Sequence, residues 1–66
     1  MNPDNAETIA ALLDNAKRAC WNAADEERTA DQRLGALLIA EIQLAQAMRE
    51  LHHALRTHRT LIGAAA

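Results

Sequence analysis

The chain has 66 residues, a formal net charge of −2, 50% hydrophobic residues and one cysteine, Cys20. That length allows a single domain and buries only ~60% of the unfolded surface. A lone Cys excludes an intrachain disulfide, so a second copy of the chain is the natural source of further stability, and the charge balance gives no overall pull toward nucleic acid or an anionic membrane.

Alanine, leucine, glutamate and arginine dominate, while Phe and Tyr are absent. These are strong helix formers, and an all-α fold is expected. The opening Met1-Asn2-Pro3-Asp4-Asn5 has neither a basic start nor an apolar run behind it, so it does not read as a signal peptide. Glu41 interrupts the one segment that approaches the length of a membrane span. A lone thiol suits a reducing compartment. The expectation is a soluble cytoplasmic protein, one helical-hairpin domain over 1–66.

A first helix is predicted over about 4–27. Pro3 suits a first-turn position, and Asp4 with Glu7 three residues on forms a capping-box pattern. Ile9, Leu12, Leu13, Ala16, Cys20 and Ala23 recur at three- and four-residue spacing and make one apolar stripe. The stripe is small after Leu13, so a neighbouring helix can come close. Cys20 reads as an inward-facing small hydrophobe. Trp21 falls off the stripe and is a candidate partner contact, because Trp anchors many interfaces.

Residues 25–33 are polar and hold no Gly or Pro. Thr29 with Gln32 repeats the capping-box pattern directly before an apolar run, which places a tight turn near 28–29. A second, longer helix follows over about 30–61. Its strongest stripe is Leu34, Leu37, Leu38, Leu44, Ala45, Met48, Leu51 and Leu55, extending to Ile62. Gly63 is a stop signal, and 63–66 are expected to fray. In an antiparallel hairpin, Leu37, Leu44, Met48, Leu51 and Leu55 are expected to close on the first helix. The rival architecture is one continuous helix in a coiled coil, since heptad positions run through the turn without a stutter. Ala23, Glu27, Ala30 and Glu41 would make a poor seam for it.

The second helix is apolar over most of its circumference between Leu34 and Ala45, and such helices are normally covered on all sides. Leu34, Leu38, Ile39, Ile42 and Ala45 are therefore read as a homodimer interface in a four-helix arrangement. Glu41 sits inside the strongest stripe. A carboxylate buried there needs a partner, and its expected role is a polar specificity device that fixes register.

No catalytic apparatus, metal site or cofactor site is read. Glu50-x-x-His53 has the spacing of carboxylate-bridged metal bundles, but both residues point away from the apolar stripe. His52 and His58 lack ligand spacing for zinc. There is no Ser, and Gly35 and Gly63 cannot form a phosphate loop. The expected class is a non-enzymatic protein-binding module. Arg49, Arg56 and Arg59 lie in a basic end with His52, His53 and His58, and no acid follows Glu50. With Trp21 they are the partner-binding candidates, suited to an acidic protein and partly answered by Asp4 and Glu7. The alternative is a small DNA-associated regulator that uses the same basic end.

In length and helix pattern the chain resembles small phage-encoded helical-hairpin dimers of the quorum-sensing anti-activator kind. The features that carry this are the stripe Ile9, Leu12, Leu13 and Ala16, the Thr29-x-x-Gln32 turn, and the run from Leu34 to Leu55. The resemblance implies a homodimer that binds and inhibits a host transcription factor in the host cytoplasm. It rests on no diagnostic motif, so it transfers no functional residue.

Overall fold

The computed structural model describes residues 2–65, without the side chains of 61, 62, 64 and 65. Ile62, the expected end of the apolar stripe, is outside the described side chains. The described residues form two helices, α1 (Pro3–Ala24) and α2 (Ala30–Ala65), packed on each other as a hairpin, with no strand among them. The Cα envelope measures 56 × 17 × 11 Å, the thickness of one helix pair.

The cap of α1 lies two positions before the expected one. Asn2, not Asp4, is the cap: its extended backbone lets Oδ1 accept the Asn5 amide at 2.8 Å. Pro3, with no amide hydrogen and φ already helical, takes the first helical position. Asp4 then lies inside the first turn, where its charge still favours the positive end of the helix dipole.

α1 ends at Ala24, earlier than the expected 27. The acids themselves terminate it. Asp25 Oδ1 accepts the Glu27 amide at 3.0 Å, a local bond that competes with the helix ladder. Three successive carboxylates, Asp25, Glu26 and Glu27, are also unfavourable at a helix C-terminus. No cation sits in the last turn of α1. Arg33 supplies one from α2, its Nε donating to the Ala23 carbonyl at 2.7 Å. That bond satisfies an otherwise free terminal carbonyl and ties the start of α2 to the end of α1.

The capping box at α2 is complete. Gln32 Oε1 accepts the Thr29 amide at 3.0 Å, and Thr29 Oγ1 accepts the Gln32 amide at 3.2 Å. This reciprocal pair, with the Asp25 turn, is what bends the chain back where no Gly or Pro is available. Thr29→Ala is expected to lower stability by about 1 kcal/mol. Urea unfolding followed by helical circular dichroism measures it; an unchanged midpoint would remove the cap from the determinants of the turn. At the other end Gly63 does not stop α2, which continues to Ala65.

The seam between the helices is made of small residues. Ile9, Ala16, Ala19 and Ala23 of α1 are buried against Ala36, Ala40, Ala47 and Ala54 of α2. Ala16 and Ala23, and likewise Ala40, Ala47 and Ala54, are seven residues apart, the spacing that keeps one face toward a supercoiling neighbour. The expected seam of Leu37, Leu44, Met48, Leu51 and Leu55 is not used; these five side chains are exposed. Leu13 and Cys20 are exposed as well, contrary to the inward position expected for both. Alanines pack where the two backbones come closest, and the bulkier side chains stand one position round each helix.

Candidate protein-interaction surface

Ten large aliphatic side chains, Leu13, Leu34, Leu37, Leu38, Ile39, Ile42, Leu44, Met48, Leu51 and Leu55, are 38–56% exposed. The buried set holds one Ile and seven Ala. Each alanine contributes only a methyl group, of the order of 0.8 kcal/mol on burial. The hairpin thus hides its small residues and displays its large ones, the reverse of an ordinary core.

Helical geometry sorts the displayed side chains by their offset from the seam, at ~100° per residue. Leu37, Met48 and Leu55 follow seam residues Ala36, Ala47 and Ala54 by one position. Leu44 and Leu51 follow Ala40 and Ala47 by four. Leu13 and Cys20 stand in the same relation to Ile9 and Ala16. All are displaced in the same rotational sense, viewed down each helix from its own N-terminus. In an antiparallel pair that sense brings the flanks of both helices to one side of the hairpin. The outcome is a leucine face running from Leu37 to Leu55 of α2, with Leu13 and Cys20 beside it. Toward the end of α2 it opens into a hollow of about 400 Å³ lined by Leu51, His52, Ala54, Leu55 and His58.

The opposite side of the hairpin is polar. Asn15, Arg18 and Asn22 precede their seam neighbours by one position, and they line a cleft of about 270 Å³ with Ala19, Ala36, Ile39 and Gln43. Gln43 is half-buried there, and its Oε1 has no hydrogen-bond partner.

The residues read from sequence as the dimer interface do not share one side. Leu38, Ile42 and Ala45 lie two positions from seam alanines and so on the outer edge of α2, opposite α1, while Leu34, seven residues before Glu41, is in line with the leucine face. Ile39 lines the polar cleft. All five are exposed. Glu41 is not buried in the hairpin, because Ala40 takes the seam position beside it; it stands exposed at the border of the leucine face.

Comparison with protein-family models, with curated proteins and with solved structures finds no match in any of the three.

Arg49 and Arg56 share the outer edge of α2 with Leu38, Ile42 and Ala45, at three- and four-residue intervals. With Arg59 they are exposed. The ion pairs among the described residues are Arg18–Asp14 at 2.7 Å and Arg28–Asp25 at 3.5 Å, so Asp4 and Glu7 do not answer the basic end as expected. Trp21, 70% exposed, is two positions from Ala19 and Ala23 and stands on the outer edge of α1. It and the arginines therefore occupy opposite edges of the hairpin, and one small contact on a single copy cannot include both. Among the described residues no group of three or more His, Cys, Asp or Glu is placed to hold a metal ion, and no helix is long and apolar enough to cross a membrane.

Proposed function

We propose that this chain is a protein-binding module that works as a homodimer and has no chemistry of its own. The observation that carries the reading is the inverted distribution of side chains: alanines inside, ten half-exposed Leu, Ile and Met outside. Displayed apolar surface on this scale marks association in a soluble chain. The leucine face serves the second copy. The outer edge of α2 stays open in that dimer and serves a different protein. Its apolar half, Leu38, Ile42 and Ala45, followed by the basic half, Arg49, Arg56 and Arg59, suits an amphipathic helix with acidic residues toward one end. Blocking such a helix on a host transcriptional regulator is the specific form of this activity that the resemblance to phage anti-activators favours. Trp21 offers a separate anchor on the far edge.

The test is capture of binding proteins by immobilised wild-type chain and by an Arg56→Glu, Arg59→Glu variant. These substitutions are on exposed positions and are expected to leave helix content unchanged. A protein held by the wild type and lost at least tenfold on the variant supports the basic half as a contact. Equal retention removes it. The exposed arginines, which make no ion pair among the described residues, also favour a second reading, binding to nucleic acid phosphates. That activity would weaken steeply between 50 and 200 mM salt, as counterion release requires, whereas docking of an apolar helix would change little.

A further inference from the structure

The leucine face has its own heptad, one position out of step with the alanine seam. Leu37, Glu41, Leu44, Met48, Leu51, Leu55 and His58 alternate at intervals of four and three residues. Two members are polar, Glu41 and His58, and they sit near opposite ends of the stripe. Both are exposed. In a single hairpin neither has a partner on this face among the described residues.

We propose that a second copy of the chain covers this face with α2 antiparallel to α2, in the one register that sets Glu41 of each chain against His58 of the other. The proposal rests on the reading of the chain as self-associating and specifies its geometry. In an antiparallel pair the two positions of each contact have a constant sum. Placing Glu41 opposite His58 places Leu44 opposite Leu55 and Met48 opposite Leu51, so every apolar member between them meets an apolar member. Sliding by one heptad in either direction breaks this match. One slide sets Glu41 against Leu51 and His58 against Leu34. The other sets His58 against Met48 and carries Glu41 to the last residues of the partner helix. Each slide leaves a polar group against leucine or methionine, without the hydrogen bond that would offset its loss of water.

Two further observations agree with this occupant. Leu13, Leu37, Leu44, Met48, Leu51 and Leu55 are each about half exposed. Their combined apolar area is roughly 500 Å² per copy before flanking contacts are added, against the ~800 Å² per partner of a standard interface. The hollow by Leu51, Leu55 and His58 is lined by residues of α2 alone. In the proposed register the stretch of the partner from Glu41 to Met48 fills it. The overhang of each α2 runs along the hairpin of the other, so the unequal helices give a dimer without a bare end. The contact is isologous, with a two-fold axis crossing α2 between Arg49 and Glu50.

Two experiments decide it. Glu41→Lys and His58→Glu are each expected to weaken the dimer at least tenfold in sedimentation equilibrium, and the double variant to return to within about threefold of wild type. Additive losses in a protein that still dimerises overturn the register and leave self-association standing. A wild-type chain that stays monomeric at millimolar concentration overturns both. A second measurement does not depend on how the charge variants fold. In a Cys20→Ser background, chains with Leu44→Cys and chains with Leu55→Cys are mixed and oxidised with glutathione disulfide. The expected product is the mixed disulfide. Two Leu44→Cys chains would hold their sulfurs ~16 Å apart along the axis, too far to bridge. A homodisulfide of either chain as the main product overturns the register.

Discussion

Leu44→Asp is expected to abolish self-association and to unfold most of the chain at micromolar concentration. Leu44 is at the middle of the leucine face, and a dimer carries it twice. The loss of apolar burial alone amounts to roughly 2–3 kcal/mol per side chain. A carboxylate against Leu55 of the other copy adds desolvation without a partner. The single hairpin has little in reserve, since its buried set is Ile9 and seven alanines, and chains of this size rarely draw more than ~3–5 kcal/mol from one core. In the proposed dimer folding and association are coupled, and the variant is expected to lose both. Sedimentation velocity with circular dichroism at matched concentration reads the two together. Leu38→Asp, on the outer edge of α2, is the control: mass and helix content stay as in the wild type. A Leu44→Asp protein that keeps its mass and melting temperature would show that the leucine face is not the contact, and loss of the dimer in Leu38→Asp would move the contact to the outer edge.

Ala47→Leu is expected to destabilise the protein although it adds apolar surface. Ala47 is the most enclosed of the seam residues, 1% exposed. Three additional carbons have no space between two backbones held at alanine distance. The helices must part along several turns, which opens gaps around Ala40 and Ala54. Overpacking of this kind costs about 1–3 kcal/mol. For a domain of this size the melting temperature falls by roughly 10–20 °C. Ala45→Leu, two positions away on the outer edge, makes the same chemical change without the crowding and leaves the melting temperature within a few degrees. Equal effects at both positions would mean that the alanines do not form the seam.

The parts of this fold legible in sequence were those set by local chemistry. Thr29 and Gln32 announce a helix start from their spacing alone, and the structure forms both bonds. Two helices follow from composition and period. The seam was not legible, and the reason is specific. α2 carries overlapping heptads one residue apart: Ala36, Ala40, Ala47 and Ala54 in one, Leu37, Leu44, Met48, Leu51 and Leu55 in the other. A reading by hydrophobic strength selects the leucines. The deciding signal was on α1, where Ala16, Ala19 and Ala23 offer a surface that bulky side chains would hold at a distance. Expecting leucine in the seam also places Glu41 inside the hairpin, where the structure leaves it exposed. The end of α1 is not legible for another reason: the Asp25 side chain bond to the Glu27 amide is a choice between two local partners, and spacing does not rank them.

The alanine seam also determines how this chain can diverge. A leucine on the outward face can become isoleucine or methionine, so that face can drift while keeping its bulk. Ala16, Ala23, Ala40, Ala47 and Ala54 have almost nowhere to go except glycine or serine. Distant descendants of this hairpin would then keep a faint signature of small residues every seven positions on both sides of a short acidic turn, while their large residues changed. Such kinship is visible in where the chain is smallest.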